Sequence, residues 1–158
     1  MSGRRVAVLD IGGTKIKGCV FIAGKPDQKG ETDSQAKQGA FHLLKQASAL
    51  LESFRPFEAV GISTAGQVDP KNGTIRYAND NVPGYTGTDV KGFFENRFGV
   101  PAAVINDVYA AALGEGRNGA AQGEQDYLCL TYGTGIGGGV VLDGRLYYGA
   151  GASAGGML

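Results

Sequence analysis

Apolar positions along this chain follow two rhythms, and the switches between them lay out its elements. Val6-Ala7-Val8-Leu9 and Ile16 to Ile22 are short runs rich in β-branched residues, which predicts two strands joined by a turn. Gly24-Lys25-Pro26-Asp27 reads as a second turn, and Gln28 to Ser34 as a third, more polar strand. The rhythm then changes. Phe41, Leu43, Leu44, Ala47, Leu50, Leu51 and Phe54 recur at helical spacing, predicting an amphipathic helix over 40–53 with His42 on its solvated side.

Ala59-Val60-Gly61-Ile62 is a short apolar run and reads as a buried strand. Val68-Asp69 and Thr74 to Tyr77 flank Pro70-Lys71-Asn72-Gly73, and Asn-Gly between such runs predicts a hairpin. The amide-rich loop 78–85, with Tyr85 at its end, has the ingredients for gripping a small polar ligand. Thr88 or Asp89 can cap a helix over Val90 to Phe98, which Gly99 stops. Val100 to Ile105 predicts a strand. Asn106-Asp107 opens an alanine-rich helix that Gly114 and Gly116 are expected to end. After a polar linker, Tyr127 to Tyr132 and Val140 to Leu142 read as strands around a glycine loop, 133–139. Asp143-Gly144 then turns into a return strand, 145–148. Strands alternating with helices after an opening meander predict an α/β fold with a mixed sheet.

Composition narrows the function. The 158 residues fit one domain, and 15 basic against 15 acidic residues leave no basic stripe for nucleic acid and no polybasic cluster for a membrane. Cys19 and Cys129 sit in apolar runs and read as buried free thiols. That suits a reducing cytosol, so a cytoplasmic location is expected. No stretch approaches a membrane span, and no signal-peptide core follows the first residues. The 28 glycines are too many for spacing alone, and they gather at turns between strands.

Those turns carry the chemistry. Asp10-Ile11-Gly12-Gly13-Thr14-Lys15 places glycines between two strands, where missing Cβ atoms expose backbone N–H groups to an anion such as phosphate. Asp10 ends the first strand, where its carboxylate would suit a phosphate-bound Mg²⁺ through a held water. The same strand, glycine-threonine turn, strand unit recurs over 127–142. Gly133, Gly135 and Gly138 also fit G-x-G-x-x-G, but a strand follows instead of the helix that a dinucleotide fingerprint requires. No Walker-type G-x-x-x-x-G-K-[ST] occurs.

Two hairpin phosphate loops mark the actin-like ATPase and sugar kinase fold, which is ribonuclease H-like. Asp10-Ile-Gly-Gly-Thr-Lys15, Ala65-Gly-Gln-Val-Asp69, Asn81-Val-Pro-Gly-Tyr85, Ile105-Asn-Asp-Val108 with Ala110 to Glu115, and Gly133-Thr-Gly-Ile-Gly-Gly138 occur in order. Together they closely resemble the ROK family of sugar kinases and sugar-responsive repressors. The resemblance implies a catalytic base at Asp107, sugar ligands at Gly66, Asn81, Asn106 and Asp107, and ATP phosphate contacts at Asp10, Gly12, Gly13, Thr14, Lys15, Gly133, Thr134, Gly135 and Gly137. It also implies ATP and Mg²⁺ as cofactors, a small sugar as substrate, a homo-oligomer, and neither nucleic acid nor membrane as partner. At a helix N-terminus the Asp107 carboxylate would be stabilised in its charged form and could take a sugar hydroxyl's proton.

The chain also departs from the family. Ser153-Ala-Gly155 is followed by Gly156-Met-Leu158, where the family carries Glu and then Gly-His, and the zinc segment and adenosine motif have no counterpart. The expected organisation is therefore an N-terminal lobe over 1–116, a linker over 117–126, and an incomplete second lobe over 127–158 that holds its opening hairpin. The activity implied is phosphorylation of a hexose or N-acetylhexosamine, of glucokinase or N-acetylmannosamine kinase type, with this chain an inactive part. The alternative is the effector domain of a sugar-sensing repressor, although only nine residues precede Asp10.

Overall fold

In the computed structural model, residues 3–133 and 135–151 are described, and the chain divides into two compact units, Met1–Ile105 and Asn106–Leu158. The first contains β1 (Arg5–Ile11), β2 (Lys15–Ile22), β3 (Lys25–Asp33), α1 (Ala40–Glu52), β4 (Ala59–Thr64), β5 (Gln67–Val68), β6 (Ile75–Tyr77) and α2 (Val90–Phe98). The strand β7 (Ala102–Asn106) closes it. The second unit holds α3 (Asp107–Asn118), β8 (Tyr127–Tyr132), β9 (Ile136–Leu142) and β10 (Arg145–Leu146).

The main sheet of the first unit runs β3-β2-β1-β4-β7. Its central strand β1 is antiparallel to β2 and parallel to β4, so the sheet is mixed as the alternation of elements predicts. Register puts Ala7, Leu9 and Ile11 in one row with Val20, Ile16, Val60, Ile62 and Thr64, and all of these are buried. Asp10 stands on the opposite face, level with Lys17 and Ser63.

Two glycines decide where α1 lies. Gly18 and Gly30 face each other across β2 and β3. A Cβ at Gly18 would stand 2.5 Å from the Phe54 ring, and one at Gly30 would stand 3.2 Å from a Leu50 methyl. The gap they leave admits the end of α1, whose Leu43, Leu44, Ala47 and Leu51 complete the core. Asp89 caps α2 by accepting the Gly92 N–H at 2.8 Å, and Gly99 ends that helix in the left-handed region. Phe94 and Phe98 of α2 are buried, and Phe98 packs on Phe57 with ring centroids 5.4 Å apart.

In the second unit β10, β9 and β8 form an antiparallel sheet, and α3 covers one face of it. By internal contacts the chain divides at Ile105/Asn106, and α3 packs on the β8–β9 hairpin. Two expectations are corrected. Gly114 and Gly116 do not stop α3, which runs on to Asn118. Gly116 instead makes room for Tyr127, whose hydroxyl donates to the Ala112 carbonyl at 2.9 Å. Second, Gly137 to Gly139 lie inside β9, so the glycine loop is shorter than 133–139. Cys19 and Cys129 are free thiols as expected, but half-buried.

Candidate active site

Asp10 ends the central strand yet is exposed, because it points away from the α1 face where β1 and β4 finish side by side. Ser63, its neighbour on β4, donates its hydroxyl to Asp10 Oδ1 at 3.1 Å. Beyond Asp10 the chain turns tightly, the Gly12 N–H donating to the Lys15 carbonyl at 3.0 Å. Two further carbonyls of the turn are taken by a single residue. Ser34 sends its N–H to the Thr14 carbonyl at 2.9 Å and its hydroxyl to the Gly13 carbonyl at 2.7 Å. The N–H groups of Gly13 and Thr14 keep no partner among the described residues. Oxygens turned inward and amides left bare are what an anion-binding turn requires.

Ser34 is fully buried and was not singled out from the sequence, where nothing beyond its place after a polar strand marks it. Lys15 opens β2 and extends toward the neighbouring strand. Its ammonium is 2.9 Å from Asp33 and 3.6 Å from Glu31, both on the neighbouring strand, and the Asp33 carboxylate above all raises its pKa.

Gly66 follows β4 and has φ +97°, where a Cβ would stand 2.8 Å from the Tyr77 carbonyl oxygen. Glycine alone allows that approach. Asp69 holds the hairpin beyond it. Asp69 accepts from the Lys71 N–H at 2.9 Å and from two nitrogens of Arg76 at 3.0 and 2.7 Å, and these donors hold its carboxyl below the usual range. The next loop presents Asn81 to solvent, after an Asx turn in which Asn79 Oδ1 accepts the Asn81 N–H at 3.2 Å. Tyr85 is not at the loop surface as a ligand grip would need. It is 2% exposed, and its hydroxyl meets that of Thr64 at 2.7 Å. Burial pushes the Tyr85 pKa up to about 12.

In the second unit Asn106, and not Asp107, is the N-cap of α3. Its Oδ1 accepts from the Val108 and Tyr109 N–H groups at 2.9 and 3.3 Å. Asp107 is exposed at the first position of the helix, with its Oδ1 2.9 Å from the same Val108 N–H. With the cap supplied by its neighbour, Asp107 is not needed to start the helix. In the hairpin, the Gly133 N–H donates to the Gly135 carbonyl at 2.9 Å, while Thr134 lies outside the described residues. Gly137 stands in β9, where a Cβ would come within 2.6 Å of a Val108 methyl. Gly139 stands likewise, 2.7 Å from the Ala112 methyl. Both glycines let α3 lie close on the sheet. Among the described residues no cluster of His, Cys, Asp and Glu could hold a metal by itself, and no helix is long and apolar enough to cross a membrane.

The sequence profile of the ROK family matches residues 6–157. The chain belongs to the ROK family. Among ROK proteins, a beta-glucoside kinase of Listeria monocytogenes is 32% identical over 152 residues, which are 96% of this chain and 51% of the relative. A Listeria monocytogenes protein described as a candidate N-acetylmannosamine kinase has a fold matching at TM-score 0.87 with 31% identity, over 96% of this chain and 52% of that one. The ROK family glucokinase of Streptomyces griseus, solved with glucose and AMPPNP, matches at TM-score 0.81 with 35% identity, over 92% of this chain and 46% of that one. The fold is thus that of the actin-like sugar kinases, and the chain spans about half the length of these relatives.

Proposed function

We propose that this chain is the phosphate- and sugar-binding part of an ATP-dependent kinase for a hexose or N-acetylhexosamine, inactive by itself. The observation that carries the reading is the turn after Asp10, where Gly13 and Thr14 offer bare amides beside an exposed carboxylate in a chain of the ROK family. The second set of phosphate contacts falls at Gly133, Thr134 and Gly135. A sugar hydroxyl is a poor nucleophile, and a carboxylate within hydrogen-bond reach takes its proton as the bond to phosphorus forms. Asp107 is the base, set at a helix N-terminus where negative charge is stabilised. Gly66, Asn81 and Asn106 line the sugar.

The residues present also fit Mg²⁺. Asp10 is exposed and engages one oxygen with Ser63, so its second oxygen is left for an ion-bound water. The ion would neutralise charge on the phosphates of ATP. A cytoplasmic location and a homo-oligomer belong to the same reading.

A coupled ADP-release assay tests it, with glucose, N-acetylmannosamine and a β-glucoside offered as acceptors. The chain alone should release no sugar-dependent ADP. Mixed with the separately produced C-terminal half of the Listeria monocytogenes beta-glucoside kinase, it should do so. In that mixture Asp107→Asn should lower kcat by roughly 10²–10⁴ without loss of sugar binding, the usual worth of a general base. Turnover by the chain alone, no turnover by the mixture, or full turnover by Asp107→Asn would each contradict the reading.

A further inference from the structure

The loop that carries Asn81 is fastened to the end of β4 by one buried pair of hydroxyls. Around its rim the loop closes on itself: the Ala78 N–H reaches Thr86 Oγ1 at 3.0 Å, and the Thr86 hydroxyl reaches the Ala78 carbonyl at 3.3 Å. Below the rim Val82 and Tyr85 are buried. The Tyr85 hydroxyl is 2.7 Å from Thr64 Oγ1, and Thr64, fully buried, is the last residue of β4. Thr64 Oγ1 also lies 3.5 Å from the Ala65 carbonyl, immediately before Gly66. Either hydroxyl can donate across this pair, and it ties the loop to the residue two before Gly66. No other polar side chain of the described residues joins this chain of bonds.

We infer that Tyr85 and Thr64 are positioning residues, whose buried hydroxyl pair fixes Asn81 relative to Gly66 and so sets the affinity for the sugar. This rests on the kinase reading above. A buried hydroxyl pair suits the task because each hydroxyl has little else to bond to, so the loop has one preferred seat. Neither residue touches the sugar; they act through Asn81 and Gly66.

Two measurements test it. In the 158-residue chain, Tyr85→Phe should speed amide exchange across 79–84 by about tenfold, the effect of losing one neutral hydrogen bond, and leave β1 and β2 unchanged. In the assembled mixture, Tyr85→Phe and Thr64→Val should each raise the sugar KM about tenfold with kcat and the KM for ATP held. Thr64→Ser, which keeps the hydroxyl, should behave as the parent. Should Tyr85→Phe lose its fold, the Thr64→Ser and Thr64→Val pair decides the matter. An unchanged exchange rate overturns the tether whatever the assay gives. An active mixture whose sugar KM ignores both variants overturns the positioning role alone, and a mixture with no sugar-dependent activity overturns the kinase reading and this inference together.

Discussion

The two glycine turns of this chain share a sequence pattern and differ in what their glycines are for. At Asp10 to Lys15 the glycines stand at the tip of the hairpin. A Cβ at Gly13 would meet nothing within 4 Å, and the Gly13 and Thr14 carbonyls are bound by Ser34. At 133–139 most of the glycines stand in β9, where Gly137 and Gly139 are buried beneath α3. One set exposes backbone to solvent, and the other lets a helix approach a sheet. A run of glycines thus carries two meanings, and only its neighbours in space tell them apart.

The sheets around the turns differ too. In the first unit the edge strand β3 is polar, with Lys25, Lys29, Glu31 and Asp33 along it, which discourages pairing with another chain. In the second unit the edge strand β8 carries no charge, and Leu128, Leu130 and Tyr132 are 59%, 42% and 76% exposed on the face away from α3. Ile136 and Leu142 extend the same face.

The largest effect should come from filling the space beneath α3. Gly139→Val drives methyls toward Ala112 and the Val108 carbonyl, and overpacking of that kind costs about 1–3 kcal/mol. Urea unfolding with amide exchange should show β8 and β9 losing protection while β1 and β4 keep theirs. Equal loss in both sheets would break the distinction drawn here.

Comparable in size is a pH effect of Tyr85 in the first unit. Tyr85 has its pKa raised from 10.0 to about 12 by burial, so the folded state holds the proton more tightly than the unfolded chain. The stabilisation is full below pH 10 and is lost as pH rises toward 12, amounting to roughly 2–3 kcal/mol at 1.36 kcal/mol per unit. Denaturant midpoints measured from pH 8 to 12 should fall over that window, and Tyr85→Phe should flatten the fall. A midpoint indifferent to pH up to 12 would contradict the burial of that hydroxyl.

A smaller change should follow at the bare face. The isolated chain is expected to self-associate through residues 127–148, and Leu130→Lys should lower its mass by light scattering toward one copy without altering the circular dichroism. A parent chain already monomeric at high concentration would sink this. The smallest effect belongs to the turn after Asp10, where Gly13→Ala should move stability by less than about 0.5 kcal/mol, since the added methyl meets nothing.

Much of this was legible in the sequence, and the exceptions have a common cause. The strands β1, β2 and β4 and the helix α1 follow from apolar runs and periodicity, and Asp89 and Gly99 bracket α2 by local cap chemistry. The motif residues Asp10, Gly66, Asn81, Asn106 and Asp107 fall at strand ends, in a loop and at a helix start, as their spacing suggested. Gly114 and Gly116 misled because a glycine near a helix end is a stop by local rules, while Gly116 answers to Tyr127, which is distant in sequence. Gly18 and Gly30 were silent for the same reason, since their partners are Leu50 and Phe54. Tyr85 read as a ligand grip because polarity along a loop does not reveal which side chain turns inward.

The central claim is that turn glycines here meet phosphate and strand glycines meet a helix. It is tested most directly by titrating Mg²⁺-ATP into the chain labelled with ¹⁵N at glycine and threonine, and following each amide by NMR. The amides of Gly13 and Thr14 should shift most, those of Gly133 and Gly135 should follow, and those of Gly137 and Gly139 should stay in place. Shifts at Gly137 and Gly139 with none at Gly13 and Thr14 would contradict the account.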